Sequence, residues 1–275
     1  MDLIQSILMG LVQGLSEFLP ISSSAHLVLT SNFYKVFKGI EVLQESNQEI
    51  FLDIMLHLGT LIAVLIFFRK EIWEIIKALK SGNREDKNFK TGIYIIVGTI
   101  ISVLVAFPLS GIASRLVFRP AIVGILLIIT GSLLLFSENY AKKIIEKKSI
   151  NLKNSVLIAI AQGLAALPGF SRSGLTIATG LLSGMGRAGA AKYSFLLSIP
   201  IILGASMLYP LITLDVKEVL TYNWTAIIVG TVVSGISGYL CIKYFLKFVS
   251  KFSLSVFGYY CLIMGIFTVI FFMGR

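Results

Sequence analysis

Near its start the chain carries Gln13, Glu17, Ser22, Ser23, Ser24 and His26, side chains that can hold, accept or deliver protons. Gln13 and Glu17 lie one helical turn apart and share a face. The serines follow Pro20, where a second helix must start afresh with its first backbone N–H groups unsatisfied and its dipole positive. One of these hydroxyls beside a base could act as a nucleophile toward phosphorus, and His26 could hold or deliver the proton. About half a chain later Gln162-Gly-Leu leads through Leu167-Pro168 to Ser171, Arg172 and Ser173, the same design with a guanidinium in place of the acid and imidazole. Two helix N-termini, an arginine fork and several hydroxyls make an anion site, and phosphate fits it best.

Blander readings stand beside these. Capping accounts for at least one serine in each stretch, although a triple serine exceeds what a cap needs. Glu17, His26 and Arg172 could form a structural charge set, yet ionisable groups within a membrane are costly enough to make function the default. An ionised Glu17 would repel a phosphate beside it. Either a divalent cation, magnesium or calcium, bridges the two with Glu17 as ligand, or burial keeps the carboxyl protonated as a proton carrier. Gln13 can offer a metal only an amide oxygen. Asp53 and His57, one turn apart, could face the same cavity, with a hydrogen-bonded core role equally open to His57.

These residues must be positioned inside a membrane. The 275-residue chain is 56% hydrophobic and 14% charged, with a mean hydropathy of +0.88, and as a soluble domain it would expose large apolar areas to water. Its net charge of +10 comes from short clusters between apolar runs, the pattern of membrane-protein loops, so nucleic acid is not an expected partner. The N-terminus has no basic region or small-residue cleavage site, so no removable signal is expected. Cys241 and Cys261 sit in apolar runs as packing residues.

Apolar segments at 51–68, 93–113, 120–137, 193–214, 222–242 and 254–273 approach the roughly 20 residues of helix that cross a bilayer. Shorter pieces come in pairs, 3–12 with 25–34 and 155–167 with 174–186, each pair flanking one polar stretch. The expected fold is therefore all-α, with six spanning helices and two re-entrant hairpins. Broken backbone of that kind is tolerated where it is buried in protein or lines a wet cavity. If the first hairpin enters from outside, most basic residues fall in inner loops. Lys35, Lys38, Arg115, Arg119, Lys217 and Arg275 fall outside, and Arg172 lies within the membrane. Each half, 1–150 and 151–275, is then one hairpin and three spans, which inverts the second repeat relative to the first and lets the polar breaks meet near the midplane. The charged residues of 69–90 are expected to form a solvated loop.

At these residues the chain resembles the undecaprenyl-diphosphatase family, the bacitracin-resistance type of integral membrane phosphatase. The first family motif is matched by Gln13, Glu17, Leu19, Pro20, Ser22, Ser23 and His26, and the second by Pro168, Gly169, Ser171, Arg172, Ser173, Gly174 and Thr176. Ala25 stands where glycine is more usual, and Gln13 takes the neutral option, which weakens a metal role there. The resemblance implies hydrolysis of undecaprenyl diphosphate to the monophosphate. That step recycles the lipid carrier of cell-wall peptidoglycan synthesis in the cell membrane, with the site open to the outer face. It also implies Ser23 as nucleophile, Arg172 as phosphate clamp and Glu17 with His26 as proton or metal partners. Gln13, Ser22, Ser24, Ser171, Ser173 and Thr176 complete the substrate-binding set.

The competing expectation is a polyprenyl-phosphate flippase or other alternating-access transporter, since inverted repeats with broken helices are common there. Prenyl chain length, the metal, a homodimeric assembly and the choice between Ser23 and water as attacking group stay open at this level.

Overall fold

The computed structural model describes residues 2–39, 46–116, 119–142, 149–213 and 216–273, without side chains at 208–213, 216 and 273. Lys143, Lys147, Lys148 and Arg275, among the expected loop cations, lie outside the described residues. The described secondary structure is helical: α1 (Leu3–Phe18), α2 (Ser23–Phe37), α3 (Asn47–Phe67), α4 (Arg69–Ser81), α5 (Lys87–Leu116), α6 (Pro120–Ala141), α7 (Leu152–Leu164), α8 (Arg172–Leu182), α9 (Arg187–Thr213), α10 (Val216–Val219), α11 (Trp224–Val249) and α12 (Ser255–Met273). Six of these, α3, α5, α6, α9, α11 and α12, are long and apolar enough to cross a membrane. The order is repeated: two short helices, a span, a shorter helix and two spans, twice over.

Local sequence sets the starts. Asp2 accepts the Gln5 N–H at 2.9 Å to open α1. Ser46 and Glu49 form a reciprocal capping box ahead of α3, with Glu49 N to Ser46 Oγ at 3.3 Å and Ser46 N to Glu49 Oε2 at 2.9 Å. Asn151 and Asn223 cap α7 and α11 by accepting from Asn154 N at 2.9 Å and Ala226 N at 3.2 Å. The first break is tight, with Ile21 N donating to Leu19 O at 2.8 Å and Ser22 in the left-handed region at φ 71°. Ser22, expected to open the second half-helix, is thus the hinge before it, and the helix begins at Ser23.

By compactness the chain divides into two units. The first comprises Met1–Phe18, Ser23–Phe67 and Ile199–Lys243, the second Leu19–Ser22, Phe68–Ser198 and Tyr244–Arg275. The core of the first gathers Met9, Leu27, Phe51, Leu52, Leu56, Tyr222 and Ile227. There α1 and α3 both approach α11 through small residues. A methyl at Gly10 would lie 2.5 Å from Gly230 O, one at Gly14 would overlap Ser237 Oγ, and one at Gly59 would overlap Thr231 O. Such contacts let apolar helices gain packing where lipid offers no hydrophobic drive.

In the second unit α6 packs on α12 with equal closeness, Gly131 against Gly258 O and Gly124 against Gly265 O. Ser102 on α5 donates to Ala159 O on α7 at 3.0 Å. Two expectations are corrected here. The charged stretch from 69 is the helix α4, packed on α5. Helix α9 starts at Arg187, ahead of the apolar run at 193, because its polar first turns are anchored: Arg187 forks onto Glu138 with Nε–Oε1 2.7 Å and NH2–Oε2 2.6 Å, and Lys192 reaches Glu71 at 2.9 Å.

Candidate functional site

The first cluster lies in the first unit. Helix α1 carries Gln13, fully buried, and Glu17, 7% exposed, on one face across its last two turns. Gln13 Nε2 donates to Glu17 Oε2 at 3.0 Å. The chain reverses through Leu19–Ser22 and returns as α2, whose first residue, Ser23, donates its Oγ–H to the same Glu17 oxygen at 2.8 Å. A third group arrives from α3: His57 Nε2 lies 3.7 Å from Glu17 Oε2. The ring is fixed from its other side, where Nδ1 meets Asp53 O at 2.8 Å, so Nδ1 carries the proton. One carboxylate oxygen thus gathers an amide, a hydroxyl and an imidazole. Ser24 and His26 follow on the first turn of α2, both half-buried.

The second cluster lies in the second unit, around the break between α7 and α8. Gly169 takes φ 103° beneath the Val123 carbonyl, where a side chain would collide. Ser171 is the N-cap of α8, accepting from Gly174 N at 3.1 Å, and its own N–H reaches Thr130 Oγ1 at 3.3 Å. Arg172 is the first helical residue. Ser173 Oγ donates to Leu19 O at 2.8 Å, and Cys261 Sγ donates to Pro20 O at 3.3 Å, so side chains of this unit hold the carbonyls of the first break. Thr176 donates to Arg172 O at 2.8 Å and shares a hydrogen bond with Ser194 at 2.6 Å.

Sequence reasoning placed Gln13, Glu17 and Ser23 on one reactive turn, and the structure joins them. It gave His57 no more than a share in that cavity; the Asp53 group that fixes the ring is a backbone carbonyl, which any residue type would supply, so the spacing alone does not mark His57. Lys35, counted among the cations of the outer side, is buried on α2 and paired with Glu49 at 3.0 Å, because the hairpin's open end packs against the start of α3.

Six apolar spans and two breaks between short helices, with a buried carboxylate beside one and buried hydroxyls beside the other, define a multi-pass membrane protein. Comparison with known proteins narrows the class. Residues 6–267 match the family model described as bacitracin resistance protein BacA. An undecaprenyl-diphosphatase of Methanobrevibacter smithii is 40% identical over all of this chain and 98% of its own length. Relatives of the same name from Halothermothrix orenii and Alteromonas mediterranea are 39% and 37% identical, over 98% and 96% of this chain and 98% and 97% of their own. The chain belongs to the bacitracin resistance protein BacA family.

Proposed function

We propose that this protein hydrolyses undecaprenyl diphosphate to undecaprenyl phosphate and inorganic phosphate, recycling the cell-wall lipid carrier and conferring bacitracin resistance. The observation that carries the reading is the 2.8 Å bond from Ser23 Oγ to Glu17 Oε2, a hydroxyl already aligned with the base that would take its proton. Ser23 Oγ attacks the terminal phosphorus as its proton passes to Glu17. The Oγ–P bond forms, the bridging P–O bond breaks and the prenyl monophosphate leaves; water then releases phosphate from the serine. The family motif that Arg172 matches assigns it to the phosphoryl oxygens, and the N-terminal end of α2 adds its positive dipole to the charge developing beside Ser23. The two motifs assign Ser22, Ser24, Ser171, Ser173 and Thr176 to substrate binding and His26 to proton transfer.

The donor set suits a divalent cation only in part. Among the described residues no group of three His, Cys, Asp or Glu side chains could enclose one, yet the buried Gln13 Oε1 has no hydrogen-bond partner. Gln13 Oε1 and the Glu17 carboxylate would hold a magnesium or calcium ion that arrives with the diphosphate, and the ion would neutralise substrate charge. The twice-repeated helix order supports inverted repeats at 1–150 and 151–275. The exposed cations of α4 and of Lys243, Lys247 and Lys251 support a cytoplasmic side there and a site open to the outer face.

Purified protein in detergent should release phosphate from a prenyl diphosphate, and Ser23→Ala and Arg172→Ala should each abolish release while keeping the helical circular dichroism signal. Undiminished turnover in both variants would overturn the mechanism. A pure transporter would release no phosphate in detergent.

A further inference from the structure

Helix α4 follows the span α3 after one residue and leads into the span α5, so both its ends are held at one membrane surface. Its inner side is occupied. Ile75 and Leu79 lie over Gly92 of α5, where a methyl would come within 3.0 Å of Ile75 and 2.9 Å of Leu79. Ala78 is buried, and Glu71 holds the Lys192 ammonium at 2.9 Å. At about 100° per residue, the opposite side carries Arg69, Lys70, Trp73, Ile76, Lys77 and Lys80. All six are exposed. Trp73 is 54% exposed, with Lys77 Nζ 5.4 Å from its ring centroid. Every cation of the helix is on this side, whereas Glu71 is turned inward and Glu74 lies at the border.

Water does not favour an open indole and isoleucine among cations. A bilayer surface does: the indole has an apolar body and a polar N–H suited to the headgroup level, and lysine stems bury while their ammonium groups reach anionic phosphates. We propose that α4 is an interfacial helix whose Trp73 and Lys77 side binds the headgroups of anionic phospholipids in the leaflet where α3 ends. Charge complementarity and the short tethers to two spans select lipid over a soluble partner.

The chain has two tryptophans, so Trp224→Phe leaves Trp73 as the single reporter in the full-length protein. That protein is reconstituted in phosphatidylcholine vesicles containing brominated phosphatidylcholine or brominated phosphatidylglycerol. Trp73 emission should be blue-shifted from that of a water-exposed indole and quenched severalfold more by the brominated phosphatidylglycerol. Adding Lys70→Gln, Lys77→Gln and Lys80→Gln should remove most of that preference at low salt and bring the two quenchers towards equality. Emission at the water-exposed position without quenching, equal quenching by both lipids in the parent, or a preference untouched by the lysine changes would each overturn the proposal. If the lysine variant fails to insert, the parent measurement alone decides.

Discussion

Ser23 and Glu17 are joined at 2.8 Å across the chain reversal at Leu19–Ser22. The hydroxyl opens one helix and the carboxylate closes the other, so the reversal itself aligns the proposed nucleophile with the proposed base. Glu17→Gln should keep the hydrogen-bonded geometry yet lower kcat by about 10²- to 10⁴-fold, the usual contribution of a general base. Phosphate release under saturating substrate measures it, and a kcat within twofold of the parent would remove Glu17 from that role.

His57 faces the same Glu17 oxygen at 3.7 Å with its ring fixed by Asp53 O. His57→Ala removes the imidazole beside the proposed base. Because displacing a reacting group by about 1 Å can cost roughly a hundredfold, kcat should fall roughly ten- to a hundredfold with KM little changed. A KM effect alone would make His57 a substrate contact instead.

Arg172→Lys tests the clamp. A lysine keeps the charge and loses the planar fork that grips two phosphoryl oxygens. Phosphate release by this variant should stay far below the parent at every substrate concentration, and recovery to parental rates would show that charge alone suffices.

Gly14 admits no side chain, since a methyl there would overlap Ser237 Oγ and lie 2.5 Å from Ser234 O; Gly111 on α5 has nothing within 4 Å. Gly14→Ala should destabilise by about 1–3 kcal/mol through overpacking, and Gly111→Ala should be neutral or slightly stabilising because alanine favours helix. Melting temperatures in detergent compare the pair; equal values would contradict the close α1–α11 contact.

Glu138 is fully buried and binds Arg187 through two bonds and Leu254 N at 3.0 Å. Arg187→Met strands the carboxylate and should cost about 3–5 kcal/mol, whereas adding Glu138→Met should restore much of it. Thermal melts of the single and double variants read this, and additive losses would refute coupling.

Burial pushes the Glu71 carboxyl up, but hydrogen bonding and charge from Lys192 outweigh it and leave Glu71 below its ordinary range. A carboxyl depressed on folding adds stability above its unfolded pKa, and that part is lost as pH falls through the lower folded value. The melting temperature of the parent should thus drop more steeply than that of Lys192→Met as pH is taken from about 7 to about 3. Parallel curves would show that the pair does not contribute.

Much of the architecture was legible because hydropathy reports the bilayer directly. The apolar run at 51–68 is α3, Asn47–Phe67, and the run at 254–273 is α12. What hydropathy misses is helix beyond the hydrocarbon. Helix α5 extends to Lys87 and Leu116, and α4 hides its period among charges. Of the site, the turn of Gln13, Glu17 and Ser23 could be read from local spacing and Pro20. His57 could not be fixed, because its meeting with Glu17 depends on how α3 packs against α1, which no local pattern encodes.

The carbonyls of Leu19 and Pro20 are taken up by Ser173 and Cys261, residues encoded far downstream. The first motif is therefore not portable by itself. A chimera that receives residues 13–26 from a distant relative inherits the reagents without the fixture that shapes them. Exchanging both motifs together with the α12 segment around Cys261 is the smallest graft expected to carry a working turn from one protein to another.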